Sequence, residues 1–208
     1  MKLENTIYCG DNLIWLKQFP EKCIDLIYLD PPFFSNKHYE VIFNDGEEIR
    51  SFQDRWKGGI NHYIGWMKER VFELHRILKD TGSFYLHCDW HASHYLKVMC
   101  DEIFGYNNFR NEIAWCYTGA SSPGAKQFSR KHDLILYYSK GNKWTFNTDD
   151  VRIPYSEATI KRAGTTPTST FHGKRTKRTL YEGKIPEDWW NTEYKIIQPY
   201  MNLLSRIS

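Results

Sequence analysis

The run from Asp25 to Ser35, DLIYLDPPFFS, leaves its part of the chain few options. Residues 24–29 (IDLIYL) are too few for a stable helix and nearly all apolar, which is the pattern of a strand buried on both faces of a parallel sheet. Asp30 ends the run, and Pro31-Pro32 forbid its continuation. A proline has no amide hydrogen for a ladder or a helix, and the second ring holds the residue before it extended. Upstream, residues 6–9 (TIYC) have strand composition and stop at Gly10-Asp11-Asn12. Residues 13–19 then carry Leu13, Trp15, Leu16 and Phe19 at helical spacing before Pro20. Strand, helix and strand in that order predict an α/β fold.

Downstream the same alternation continues. In residues 63–78, Ile64, Met67, Val71, Leu74 and Leu78 share one helical stripe, with Asp80-Thr81-Gly82 as a stop. Residues 83–87 (SFYLH) read as a strand, and residues 92–104 as a helix with Gly105 as its cap. Residues 113–117 and 134–138 are two further strands, and their connection, TGASSPGAKQFSRKH, suits an antiparallel pair. Residues 36–61 are polar and too long for a plain link, which predicts a substrate-facing lid. Beyond Asn147 the periodicity fades, and residues 151–184 are rich in Thr, Ser, Gly and Pro.

At 208 residues the chain can hold one domain with a real core, or a domain plus a small insert. A net charge of +3 does not by itself indicate nucleic-acid binding, so the distribution of charge matters more. Basic residues outnumber acids in residues 152–184, where the run His172 to Arg178 (HGKRTKR) lies. Aromatics make up 16% of the chain, enough for a core and for stacking on bases as well. The five cysteines form no CxxC pair, the pattern of buried thiols in a reduced, intracellular protein. No leader-like run or membrane-length apolar run occurs, so a cytoplasmic location is expected.

In open α/β sheets ligands bind outside the carboxyl ends of the strands. Three expected strand ends carry acids: Asp11, Asp30 and Asp89. Asp30-Pro31-Pro32-Phe33 suits one chemistry in particular. The exocyclic amine of a base is a poor nucleophile because its lone pair is delocalised into the ring. A carboxylate and a carbonyl held outward by the prolines can each accept one of its hydrogens and turn the lone pair toward an electrophile. Phe33 offers a face for the base to stack on. Orientation and electrostatics supply the rate, without a strong base. A strand ending in a plain Asp-Pro turn also accounts for these letters taken alone.

Three blocks of sequence in order resemble the amino-group DNA methyltransferases of the β arrangement. They are GDNLIWLKQFPEKCIDLIYLDPPFFSN, GSFYLHCDWHASHYLKVMCDEIFGYNNFRNEIAWCY and KHDLILYYSK, with a fainter echo at DWW, residues 188–190. The resemblance implies a Rossmann-like methyltransferase sheet and S-adenosylmethionine as methyl donor. It makes Asp30, Pro31, Pro32 and Phe33 the catalytic motif around a flipped-out adenine, DPPF pointing to adenine where SPPY points to cytosine. Asp11, Asn12 and Asp30 become cofactor-binding residues. Residues 1–147 correspond to the N-terminal part of the catalytic core, 148–187 to a variable target-recognition segment and 188–208 to a truncated return to the core. Lys174, Arg175, Lys177 and Arg178, with Lys126, Arg130 and Lys131 of a second basic loop, would then contact double-stranded DNA. A solvated loop is the alternative for each cluster. A restriction-modification role follows from the same likeness, and leaves room for a restriction subunit and for a homodimer.

His87-Cys88-Asp89-Trp90-His91, with His94, has zinc-ligand residue types, but its spacing is not a finger pattern and it crosses from strand to helix. No metal is expected there. The resemblance makes Asp89 and its neighbours part of the pocket wall next to the DPPF loop; a strand end with Asp89 capping the next helix is the alternative.

One part of the family pattern is missing. The glycine-rich FxGxG that lets backbone approach the cofactor's methionine part does not occur, and two central strands should accompany it. The sheet is therefore expected to be incomplete, with unpaired edges, as in a fragment, a two-polypeptide enzyme or a rearranged sheet. The competing functions are transfer to cytosine N4, to an RNA base or to a protein glutamine amide, and a non-catalytic DNA-binding remnant.

Overall fold

The computed structural model describes residues 4–34, 58–120, 124, 126–165 and 183–191. It divides into two compact units, Met1–Thr145 and Phe146–Ser208. In the first unit a short helix α1 (Asn12–Leu16) precedes strand β1 (Ile24–Leu29). Helix α2 (Gly59–Ile77), strand β2 (Leu78–Cys88), helix α3 (Ser93–Phe104), strand β3 (Phe109–Cys116) and strand β4 (His132–Ser139) follow. The second unit holds helix α4 (Glu157–Thr165) and strand β5 (Trp189–Asn191). It also has a bridge between Ile153 and Lys184.

The strands of the first unit lie in the order β1-β2-β4-β3. β1 runs parallel to β2, with Leu26 opposite Ser83 and Leu29 opposite Leu86. β2 and β4 are antiparallel, as are β3 and β4. The expected antiparallel pair is therefore present. These directions bring the carboxyl ends of β1, β2 and β3 and the start of β4 to one edge of the sheet.

Alternation along β2 sorts its side chains onto two faces. Phe84, Leu86 and Cys88 enter the core with Met67, Val71, Leu74 and Ile77 of α2 and Leu96, Met99 and Phe104 of α3. Each fully buried side chain of this size contributes about 1.5–3 kcal/mol of transfer free energy. Tyr138 closes the layer. Its hydroxyl donates to Asp101 Oδ1 at 2.7 Å. On the opposite face Tyr85 stacks on Tyr137 with centroids 4.4 Å apart.

The structure corrects five local expectations. Residues 6–9 form no strand, and Ile7 is 96% exposed. No described strand offers this segment a ladder; instead Tyr8 leans on Trp15 and Phe19, and Trp15 Nε1 donates to the Cys9 carbonyl at 3.0 Å. The first helix spans only Asn12–Leu16. Asp80-Thr81-Gly82 is no stop between elements, because α2 passes directly into β2 at Leu78 and the turn residues become a bulge between the pairs Ile24–Leu78 and Leu26–Ser83. β1 is not buried on both faces: Ile27 is its one buried residue, and Leu26 is 59% exposed. β1 is the sheet's terminal strand, and no described strand pairs with its outer edge. Residues 58–61, expected in the lid, include the start of α2; the rest of the expected lid lies outside the described residues.

Candidate active site at the sheet edge

Asp30 is the residue after β1, on the edge where β2 and β3 also end. Its side chain is 34% exposed. Oδ1 lies 3.0 Å from His87 Nδ1, while Oδ2 has no hydrogen-bond partner among the described residues. Pro31 is buried, Pro32 exposed and Phe33 half-buried. The Phe33 ring meets His87 edge-to-face, with centroids 4.9 Å apart.

His87 arrives there because of strand register. Leu29 pairs with Leu86, so the next residue of each strand falls side by side at the edge. Alternation turns His87 away from the helices. The residue is 7% exposed. Its Nε2 makes no hydrogen bond among the described residues and sits 3.7 Å from Asp133 Oδ2, within ion-pair range. Trp115 of β3 lies beside it, centroids 5.3 Å apart. Burial alone would push the imidazole down, but the carboxylates of Asp133 and Asp30 outweigh it and raise His87 to about 9. The ring is therefore an imidazolium at neutral pH, and Nδ1–H donates to Asp30. Sequence reasoning placed His87 in a zinc question and, as a neighbour of Asp89, in the pocket wall beside the DPPF loop, but gave it no contact with Asp30. The signal that could have found it is the SFYLHC alternation combined with parallel pairing to the Asp30 strand.

Asp89 holds the turn before α3. Its backbone carbonyl accepts from Ser93 N at 3.0 Å, and its Oδ1 accepts from His91 N at 3.0 Å. Oδ2 is 2.6 Å from His91 Nδ1. His87 and His91 thus serve different carboxylates, burial pushes the Cys88 thiol up, and His94 is exposed. No group of three metal-ligating side chains occurs among the described residues.

The loop between β3 and β4 reaches the same edge. Arg130 stacks over Trp90, its Cζ 3.9 Å from the ring centroid, and Trp90 stacks on His91 at 3.8 Å. Lys131 Nζ donates to the Ala120 carbonyl at 3.3 Å, and Lys126 is exposed farther out in the loop. Lys174, Arg175, Lys177 and Arg178 lie outside the described residues.

Asp11 caps α1 rather than ending a strand. Its Oδ1 accepts from Leu13 N at 3.0 Å and from Arg70 Nη2 at 2.8 Å. Asn12 is the first residue of α1. Contacts along α2 connect this segment to the DPPF loop: Phe34 packs on Tyr63 at 5.6 Å, and Tyr63 stacks on Trp66 at 6.2 Å. The Arg70 guanidinium lies 3.9 Å over Trp66. Side chains three and four apart on α2 thereby tie two of the segments singled out from the sequence to one helix face.

The sequence profile of the N6_N4_Mtase family, described as DNA methylase, matches residues 24–202. The chain is 30% identical over 141 residues to the type II methyltransferase M.KpnI of Klebsiella pneumoniae, covering 66% of this chain and 33% of that protein. It is 28% identical over 149 residues to the DNA adenine methyltransferase YhdJ of Escherichia coli (strain K12), covering 71% and 46%. It is 27% identical over 186 residues to the Mod subunit of the type III restriction-modification enzyme StyLTI of Salmonella typhimurium, covering 80% and 28%. The chain spans less than half the length of each of these relatives. The solved structure of the PvuII DNA methyltransferase, described as cytosine-N4-specific, superposes with a TM-score of 0.51 at 16% identity over 95% of this chain and 62% of that one, a likeness of fold alone. With the profile match covering most of its length, the chain belongs to the N6_N4_Mtase family of DNA methylases.

Proposed function

We propose that this chain carries the catalytic core of a DNA methyltransferase that transfers a methyl group from S-adenosylmethionine to adenine N6, within a restriction-modification system. One observation carries the reading: Asp30 stands at the sheet edge with Oδ1 anchored on His87 and Oδ2 uncommitted. An anchored carboxylate with one free oxygen can accept a hydrogen from an exocyclic amine and hold the nitrogen in one orientation. The second acceptor in this reading is a backbone carbonyl of the Pro31-Pro32 turn, which the rings keep out of any helix. Phe33 forms a wall for the base. The name of YhdJ favours adenine as the acceptor.

The donor set fits S-adenosylmethionine at its methyl-bearing end, because an exposed carboxylate and aromatic rings suit a cationic sulfonium. When bound, that group supplies an electrophilic methyl. Asp30 and the segment at Asp11 and Asn12 are the residues that would hold it. Arg70 orients Asp11 through the ion pair between them. Arg130, Lys131 and Lys126 flank the duplex in this reading, and Trp90 keeps Arg130 beside the site. Lys174, Arg175, Lys177 and Arg178 belong to a target-recognition segment at residues 148–187, with the catalytic core before it and a return to the core after it.

Double-stranded DNA is the partner. A restriction subunit is a second, in line with a relative named as a Mod subunit, and a homodimer is a third. Five free cysteines agree with a reducing cytoplasm. Among the described residues no helix is long and apolar enough to cross a membrane.

The test is to incubate the protein with DNA and S-adenosylmethionine, digest the DNA and look for N6-methyladenine by mass spectrometry. N4-methylcytosine would move the acceptor to cytosine, and no methylated base would favour a DNA-binding remnant. Asp30→Ala is expected to lower transfer by at least about a hundredfold, with DNA affinity within about twofold. Wild-type turnover in that variant would remove Asp30 from the chemistry.

A further inference from the structure

We propose that His87 is a positioning residue for Asp30: held between the carboxylates of Asp30 and Asp133, it fixes the Asp30 side chain so that Oδ2 alone faces the incoming amine. The inference rests on the methyltransferase reading above and adds to it the group that sets the geometry of the acceptor.

A carboxylate that is 34% exposed at the end of a strand would otherwise exchange between rotamers and water. Here Oδ1 is tied at 3.0 Å to a ring that cannot move freely. His87 is 7% exposed and packs against Phe33 on one side and Trp115 on another, with centroids at 4.9 and 5.3 Å. Asp133 comes from β4, a different element, and faces Nε2 at 3.7 Å. Fixing the ring therefore fixes Asp30 relative to β2 and β4 as well as to its own strand. The same contact seats Phe33 against the ring, so the acceptor and the stacking wall share one support. This is the supporting shell that a site precise to a fraction of an ångström requires.

The protonation state is part of the device. The imidazolium donates Nδ1–H to Asp30 and sets a positive charge 3.7 Å from the Asp133 carboxylate, whereas the neutral ring has no charge with which to attract either carboxylate. Among the described residues, ionisable groups around this cluster include Tyr28 on β1, Tyr117 after β3, whose hydroxyl donates to Asp133 at 3.4 Å, and Asp89 after β2 and Glu112 on β3, whose charges act on the neighbouring Cys88. Burial pushes both phenols up, and the neighbouring Cys88 thiol as well, so none of them ionises before the ring loses its proton.

Two measurements test the proposal. The first needs no methyl transfer: the His87 ring is titrated by NMR in the wild-type protein and in Asp30→Asn. A wild-type midpoint well above the ordinary histidine value, falling by at least about one pH unit in Asp30→Asn, supports the coupling. A midpoint that Asp30→Asn leaves unchanged overturns it. The second compares transfer kinetics of His87→Ala and His87→Asn, the latter retaining an amide donor near the Nδ1 position. His87→Ala should lower kcat between about tenfold and a hundredfold while KM for DNA stays within about threefold, and His87→Asn should recover part of the loss. The fall in wild-type kcat as the ring deprotonates should be absent in His87→Asn. If Asp30→Asn abolishes transfer while His87→Ala keeps wild-type kcat, the positioning role is wrong and the methyltransferase reading stands. If the wild-type protein transfers no methyl group, the methyltransferase reading fails and the NMR titration alone decides whether His87 holds Asp30; if Asp30→Asn transfers normally, Asp30 leaves the chemistry and the positioning role falls with it. If His87→Ala does not fold, His87→Asn and the titration carry the decision.

Discussion

Asp30 commits Oδ1 to His87 and leaves Oδ2 without a hydrogen-bond partner among the described residues, the division that the proposed chemistry requires. The same pairing links stability to pH. His87 stands above its unfolded value, so its contribution is complete below about pH 6.5 and is lost as pH rises through about 9. His75 acts in the opposite sense. Burial pushes it down, so folding loses stability when acid forces it to charge. Denaturant unfolding at pH 7 and pH 9.5 should show a loss on the order of 1–3 kcal/mol, and the same comparison in His87→Asn should lose most of that difference. Neither histidine could be assigned a role from its letter alone. The partner of His87 is 57 residues away in sequence, and that of Asp11 is 59 away at Arg70.

At the scale of elements, local periodicity was a good guide wherever a stripe is buried on one side. α2 and α3 lie where the spacing of Met67, Val71 and Leu74 and of Leu96 and Met99 put them, with α2 extended by one turn. Gly105 caps α3 at φ 85°, a conformation that suits glycine. The turn signal at Asp80-Thr81-Gly82 misled because a bulge uses the same residues as a turn. There the chain runs straight from helix to strand and takes up its extra length against β1. Gly82 is required by that geometry: a Cβ would lie 2.7 Å from Leu78 Cγ and 2.9 Å from the Lys79 carbonyl. Gly82→Ala is expected to cost about 1–3 kcal/mol, read as a lower urea midpoint at an unchanged slope. A midpoint equal to wild type would show that the bulge relaxes freely.

For the whole molecule, the expectation of an incomplete sheet is the one with the widest consequence. β1 leads into the Asp30-Pro31-Pro32-Phe33 loop yet pairs on one side only among the described residues, with a single buried side chain. Leu26, Ile14 and Phe72 are exposed at 59%, 63% and 61%. Few buried contacts and one unpaired edge place β1 among the less protected parts of the fold. Native-state hydrogen exchange should show its amides exchanging faster than those of β2 and β4, by at least about tenfold. Equal protection would mean that the outer edge is covered in solution. The order of strands and helices from β1 to β4, the antiparallel hairpin of β3 and β4, and the Asp30-Pro31-Pro32-Phe33 loop at a strand end could all be read from the residues, because each depends on periodicity and backbone chemistry within a short span; α4, in a stretch where the periodicity fades, could not. The absence of a strand at residues 6–9, the ion pair of Asp11 with Arg70 and the clamp of His87 between Asp30 and Asp133 could not. Those depend on which distant segments pack side by side and in what register, and a one-residue shift between β1 and β2 would have sent His87 to the other face of the sheet.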